Sequence, residues 1–277
     1  MSDAESKIVE HYATSGLLAR LEAALRADGA DPAHPTIEAL APYDQFHGRG
    51  LEATKDMAAL VSVRPTDHLL DVGSGLGGPA RWLSTRFGCR VTGIDLTPEF
   101  CAIAEHFTRL IGLDARVRFQ VGNALAMPFD DGTFEGSYSM FVSMNIADKA
   151  QLYREIHRVL KSGGWLVLSE IARGEGGDVM YPTPWAATAG ESFLSTADDT
   201  RKGLRIAGFE VEQVKNDLQR ALDFGAQSRT MVERGEKPPY RANALIHGDI
   251  AGATLANVAR GYKDGSLMPI EVVARKR

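Results

Sequence analysis

The run Leu69-Leu70-Asp71-Val72-Gly73-Ser74-Gly75-Leu76-Gly77-Gly78 decides the fold. Leu69, Leu70 and Val72 form a short apolar stretch that suits a strand buried on both faces. Glycines follow at once, and a helical pattern begins at Arg81-Trp82-Leu83. Strand, glycine turn and helix, in this order, is the setting in which a glycine motif carries meaning. The glycines allow a tight turn and let a ligand approach the backbone closely. The helix N-terminus leaves free N–H groups that attract anionic ligand groups. Two patterns are satisfied at once, G-x-G-x-x-G by Gly73, Gly75 and Gly78, and G-x-G-x-G by Gly73, Gly75 and Gly77. The neighbouring segments have to decide between cofactors, and between a ligand site and a plain turn.

Downstream, a helix from Pro79 to Phe87 ends at Gly88, and Arg90 to Asp95 reads as the second strand. Asp95 closes that strand about twenty residues beyond the glycines, where a doubly wound sheet meets the ribose hydroxyls of a nucleoside. The plainer reading is a helix N-cap ahead of Thr97-Pro98-Glu99. A helix over 99–112 and a third strand over 115–121 follow, then Asn123, whose amide suits either an adenine edge or a turn. Phe134 to Met140 is the fourth strand and runs on into residues 141–146. A helix over 148–160 is expected to close on a glycine cap at Lys161-Ser162-Gly163-Gly164, ahead of a fifth strand over 165–170. Residues 173–184 form a long loop rich in glycine and proline. Two more strands, 209–215 and 268–275, flank an insertion at 216–265 with helical patterns at 218–233 and 243–262. An insertion of this length is rarely idle and is read as a helical lid.

Upstream, Ile8 to Arg26 reads as a helix, a second segment runs from Pro35 to Leu40 and breaks at Ala41-Pro42, and Leu51 to Val61 is helical. Residues 1–50 are taken as an N-terminal arm or lid and 51–277 as the main domain. Between them, Tyr43-Asp44-Gln45-Phe46-His47-Gly48-Arg49-Gly50 packs two aromatics, a histidine and an amide into one loop, the kind of segment that carries binding residues. The alternation of strands and helices predicts an α/β fold, a parallel sheet with helices on both faces. Right-handed crossovers bring the glycine loop, Asp95, Asn123 and residues 140–145 to one carboxyl edge.

The chain has 277 residues, 44% of them hydrophobic, which suits one large α/β domain with a small cap. A net charge of −5 disfavours a nucleic-acid backbone as partner. Cys89 and Cys101 lack zinc-ligand spacing and read as reduced thiols of a cytoplasmic protein. No metal cluster, membrane span or signal peptide is evident in the sequence. The expected partner is a small molecule, and the oligomeric state is left open, a homodimer included.

Leu70-Asp71-Val72-Gly73-Ser74-Gly75-Leu76-Gly77, Gly93-Ile94-Asp95, Met127-Pro128-Phe129 and Arg158-Val159-Leu160-Lys161-Ser162-Gly163-Gly164 together resemble the class I S-adenosylmethionine-dependent methyltransferases over roughly residues 43–215. Tyr43 to Gly50, Gly77-Gly78-Pro79-Ala80-Arg81, Met144-Asn145-Ile146-Ala147-Asp148-Lys149 and Tyr181-Pro182-Thr183-Pro184-Trp185-Ala186 are similar to a narrower group. It includes the sarcosine and dimethylglycine N-methyltransferases, with tocopherol and quinone methyltransferases as looser relatives. The resemblance implies a Rossmann-like seven-stranded sheet, mostly parallel with an antiparallel last strand, and S-adenosylmethionine as cofactor, with S-adenosylhomocysteine as product. It implies that Gly73, Ser74, Gly75 and Gly77 line the methionine portion, that Asp95 holds the ribose, and that Asn123 and Ala124 face adenine. Many relatives carry Asp where this chain has Asn123; an amide still offers a carbonyl to the adenine amino group. Arg81 is a candidate partner for the cofactor carboxylate, and Gln45, Leu96 and Met140 complete the expected cofactor contacts.

Methyl transfer needs a nucleophile held in line and a site that excludes water. An amine or phenol acceptor can require a base with a pKa near the working pH. His47 is the first candidate, with Tyr43 as orienter and Asn145 to position the substrate. Trp185 and Tyr181 are candidates for a cation–π contact of about 0.5–2 kcal/mol with a methylammonium. The expected function is methylation of a small molecule, with an amine nitrogen ahead of a phenol, quinone or sugar hydroxyl or a carbon. A nicotinamide oxidoreductase and a non-catalytic cofactor-binding protein are the readings from other classes.

Overall fold

The computed structural model describes Val9, His11, Tyr12 and residues 16–277. Its centre is a seven-stranded sheet of β1 (His68–Val72), β2 (Arg90–Asp95), β3 (Val117–Val121), β4 (Phe134–Met140), β5 (Leu160–Arg173), β6 (Phe209–Asn216) and β7 (Leu267–Lys276). The strand order is β3-β2-β1-β4-β5-β7-β6. Strands β1 to β5 pair in parallel, whereas β7 is antiparallel to both β5 and β6. The last strand is therefore antiparallel, as the resemblance implied.

Apolar alternation builds a core on each face. Leu69, Tyr138, Val167 and Val273 point to the helices Leu51–Ala59, Gly78–Phe87 and Pro98–Leu110. Leu70, Leu166, Leu168, Val272 and Ala274 point to the helices Lys149–Val159 and Ala197–Ile206. A third cluster joins the arm to the helix Pro98–Leu110: Leu17, Leu21 and Leu25, one turn apart on the helix Leu17–Ala27, are fully buried against Phe100, Ile103 and Phe107. Each such leucine contributes about 1.5–3 kcal/mol on burial.

Three local expectations are corrected. The arm's second helix does not break at Ala41-Pro42 but runs from Ile37 to Asp44 with Pro42 inside it. Its last residue, Asp44, is held by an ion pair to Arg81. No glycine cap closes the helix Lys149–Val159, because Leu160 is already extended and pairs with Phe134. Gly163, at φ 76°, turns within the start of β5, and a Cβ at Gly164 would sit 2.8 Å from the Lys161 carbonyl. The pattern at 243–262 is split into Ala242–His247 and Ala251–Asp264. The part of the first expected helix before Gly16 lies, apart from Val9, His11 and Tyr12, outside the described residues.

The insertion's position follows from topology. Strand β6 runs with β1–β5, so its end at Asn216 lies on the carboxyl edge, and residues 217–266 rise from the edge that carries the glycine loop. Among the described residues no helix is long and apolar enough to cross a membrane.

Candidate active site

A cavity of about 260 Å3 opens at the carboxyl edge, and both Gly75 and Asp95 line it. The Asp95 carboxylate is aimed by two backbone donors: Gly75 N–H reaches Oδ2 at 2.8 Å and Thr97 N–H reaches Oδ1 at 2.9 Å. Burial raises its pKa, and these two N–H bonds work against that rise by favouring the charged form. The N-cap of the helix Pro98–Leu110 is Thr97 rather than Asp95, whose Oδ1 bonds the N–H of that capping residue. Gly73 turns at φ 74° where an added Cβ would lie 2.3 Å from the Val142 side chain, whereas at Gly75 a Cβ would meet nothing within 4 Å. Only glycine fits at the first position, and the second leaves open space for a ligand.

Leu96, Asn123, Ala124 and Met140 line the same cavity, as does Asn145. Asn123 Oδ1 also accepts the Leu125 N–H at 2.8 Å, so its turn role and its place at the cavity coexist. Tyr12, Phe46, Phe100, Phe141 and Phe193 give the cavity an aromatic wall. Asn145 Nδ2 donates to the Tyr12 hydroxyl at 3.1 Å. Burial pushes the Tyr12 phenol well above its ordinary pKa, so its proton stays on and can be donated. Sequence reasoning missed Tyr12 and Phe193, which lie in segments without a motif; the only signal was an aromatic beside a polar stretch in each.

The remaining candidates are placed elsewhere. Tyr43 does not face the cavity. Its hydroxyl donates to Asp28 Oδ2 at 2.7 Å and accepts from Arg241, whose guanidinium lies 4.7 Å from the ring centre. That bracket ties the arm to the insertion. Arg81 is wholly buried: Nη2 pairs with Asp44 Oδ2 at 2.8 Å and donates to the Leu76 carbonyl at 2.5 Å, and Nη1 reaches the Ala104 carbonyl at 3.0 Å. It braces the glycine turn from behind. Gly77 and Ser74 sit on that rear side too, Gly77 against Phe119 and Arg81, and Ser74 against Gly93.

His47 is buried and stacked on Phe141, with ring centroids 6.1 Å apart. Its Nε2 lies 3.2 Å from Thr54 Oγ1, which donates to Gln45 Oε1 at 2.6 Å. Burial drops the imidazole pKa to about 4. Neither His47 nor Gln45 lines the cavity. Trp185 is packed in a core with Val258 and donates to Ser192 Oγ at 2.9 Å, so it pins the long loop.

Phe141 borders a second cavity, of about 680 Å3. Its wall is mostly apolar and comes from the insertion: Ala221, Leu222, Phe224, Val232, Leu255 and Tyr262 among others. The helix Leu218–Glu233 has no buried residue, so its apolar side faces this space rather than a packed neighbour. Phe141 itself has φ 60°, an uncommon backbone conformation for a side chain of that size.

Residues 70–168 match the family described as a methyltransferase domain. The chain is 31% identical over 189 residues to the methyltransferase GfsG of Streptomyces halstedii, covering 67% of this chain and 66% of that protein. It is 34% identical over 185 residues to phosphoethanolamine N-methyltransferase 3 of Arabidopsis thaliana, covering 63% of this chain and 36% of that one. It spans about a third of the length of the first curated relatives it matches. A solved geranyl diphosphate methyltransferase, in complex with GPP and sinefungin, shares the fold at a TM-score of 0.71, with 19% identity over the whole of both chains. Residues 70–168 thus form a methyltransferase domain, and the chain's fold and relatives are consistent with the class I S-adenosylmethionine-dependent methyltransferases.

Proposed function

We propose that this chain methylates a small molecule with a large apolar body, holding the cofactor in the cavity beside Asp95 and the acceptor in the cavity beyond Phe141. The observation that carries this reading is the meeting of two unlike cavities at one residue: Phe141 lines both. The smaller cavity suits a nucleoside. It pairs a half-buried carboxylate held by N–H donors with apolar walls at Ile94, Leu96 and Leu125, and it has an open backbone position at Gly75. Gly73, Gly75, Asp95, Leu96, Asn123, Ala124 and Met140 are the residues that would hold S-adenosylmethionine. When bound, it supplies an electrophilic methyl group on a sulfonium.

The chain's own residues supply exclusion of water and orientation. Phe46, Phe100, Phe141 and Phe193 dry the site, and Tyr12 and Asn145 present hydrogen-bonding groups to whatever enters it. His47 is too weak a base at a pKa of about 4, and too enclosed, to take a proton from an ammonium. The amine nitrogen remains our first choice of nucleophile, but a glycine- or sarcosine-sized acceptor would leave most of 680 Å3 unfilled. Oxygen and carbon acceptors with the same apolar bulk are the alternatives.

The test is S-adenosylhomocysteine release from S-adenosylmethionine over a panel holding glycine, sarcosine, phosphoethanolamine, long-chain amines, prenylated phenols and isoprenoids. Turnover confined to bulky apolar acceptors is expected. Turnover confined to sarcosine-sized acids would remove the apolar-body reading, and release with no acceptor in the whole panel would remove methyl transfer.

A further inference from the structure

The second cavity is mostly apolar, with Arg49, Asp217, Arg229 and Glu233 also on its lining, and on one face of the sheet at its floor two buried polar side chains have no hydrogen-bond partner. Strand register sets their positions. Met140, which lines the first cavity, pairs across with Ser169, and Ser169 pairs across with Glu271. Paired residues point to the same face, and neighbouring strands are about 4.8 Å apart. The row Met140, Ser169, Glu271 therefore runs from the edge of the first cavity into the second, and Ser169 and Glu271 both line the second. Ser169 is 5% exposed and Glu271 2% exposed. Ser169 Oγ and both carboxylate oxygens of Glu271 have no hydrogen-bond partner among the described residues.

A buried carboxylate without hydrogen bonds is costly and calls for a donor. Lys215, the register partner of Glu271 on β6, forms an ion pair with its carboxylate at 3.6 Å, and Arg220 forms another at 3.7 Å, with Asp217 beside them. Arg49 is engaged by Asp217 and Asp56, each at 2.7 Å. Both ion pairs reach the same oxygen, Oε2, beyond hydrogen-bond distance, so neither carboxylate oxygen has a hydrogen-bond partner, and Asp217 adds a second negative charge.

We infer that Glu271 and Ser169 form the head-group subsite of the acceptor pocket and select a molecule with a protonated amine on an apolar body. The ammonium N–H groups donate to the Glu271 carboxylate and to Ser169 Oγ, and the apolar body fills the space under Leu222, Phe224 and Val232; this protonated nitrogen anchors the molecule and has no lone pair, so the methyl acceptor is a second nucleophilic atom nearer Phe141. This rests on the reading of the second cavity as the acceptor pocket.

The probes are octylamine, octanol and octanoate, which share a tail and differ in head group. Each is titrated calorimetrically into the full chain saturated with S-adenosylhomocysteine at pH 7.5. The expected result is octylamine binding at least tenfold tighter than octanoate. Glu271→Gln is expected to bring the two within about threefold while octanol affinity holds, and Ser169→Ala to reduce the preference less. Retained S-adenosylhomocysteine binding by each variant shows that it is folded; if Glu271→Gln fails that check, Ser169→Ala carries the test. Binding of all three probes with equal affinity, a preference for octanoate, or an amine preference that survives both substitutions overturns the subsite and leaves the pocket standing. No binding of any probe to a chain that still binds S-adenosylhomocysteine overturns the pocket itself.

Discussion

The Gly75 N–H donates to Asp95 Oδ2 at 2.8 Å, joining the glycine turn after β1 to the carboxyl end of β2. The bond fixes the carboxylate against the cavity wall and leaves lone pairs on both oxygens for a ligand. Asp95→Ala is expected to weaken S-adenosylhomocysteine binding by about ten- to a hundredfold, the range of a lost hydrogen bond to a charged group, about 1.5–3 kcal/mol. Asp95→Asn should fall between, since its amide keeps one acceptor. Calorimetric titration checks both, and an affinity unchanged in Asp95→Ala would remove the carboxylate from the site.

Tyr43 and Arg81 are expected to act on stability rather than on turnover. Tyr43→Phe loses the bonds to Asp28 and Arg241. A cost of about 0.5–1.5 kcal/mol in urea unfolding is expected, with kcat unaltered. Arg81→Met strands Asp44 in a buried position, which costs about 3–5 kcal/mol. The double substitution Arg81→Met with Asp44→Leu should recover much of that loss. A fall in kcat for Tyr43→Phe without loss of stability would return Tyr43 to the chemistry.

How much of this was legible in the sequence depends on the range of the interaction that sets each role. Gly73, Gly75 and Asp95 act through backbone geometry at strand ends, so the order of local patterns places them. Tyr43 and Arg81 carry the same side-chain chemistry as ligand-binding residues. Their partners, however, are chosen by packing: Arg241 is 198 positions away from Tyr43, and Asp44 is 37 from Arg81. His47 lies in the loop that was singled out, but the side of Phe141 on which it falls is set by the approach of β4's end to Gly48. Glu271 left a signal that was passed over. A carboxylate inside Met268-Pro269-Ile270-Glu271-Val272-Val273 breaks an apolar strand pattern without a local reason.

Two buried groups are expected to give stability opposite slopes with pH. His47 titrates near 4 in the folded chain because burial disfavours the imidazolium, against 6.5 unfolded. The unfolded chain takes up that proton first, so stability falls as pH drops from 6.5 towards 4. Asp71 is raised to about 8, first by burial and then by the charge on Asp95. Its contribution is fully present below about 3.8 and is lost as pH rises to 8. Asp71→Asn should therefore be more stable than the parent at pH 8, by about 1–3 kcal/mol, with the gap closing towards pH 4. Denaturant midpoints across this range check the sign; a gap that widens on acidification would mean that Asp71 is ionised in the folded chain.

Phe141 offers the sharpest separation of the two cavities. Its φ of 60° costs about 1–2 kcal/mol for a non-glycine residue, and its ring fills the space that a Cβ at Gly48 would need. Phe141→Gly relieves the backbone and removes the partition, so the two effects on stability offset in part. S-adenosylhomocysteine affinity should change little, because Gly75, Asp95 and Asn123 are untouched. Turnover of an apolar acceptor should fall at least tenfold in kcat/KM, about 1.4 kcal/mol of transition-state stabilisation, because the acceptor is no longer held against the cofactor cavity. Phe141→Leu keeps a partition of similar bulk and should retain more activity, although its backbone strain persists. If Phe141→Gly instead loses cofactor affinity and turnover in equal measure, Phe141 is a wall of the cofactor cavity alone, and the acceptor must enter by another route.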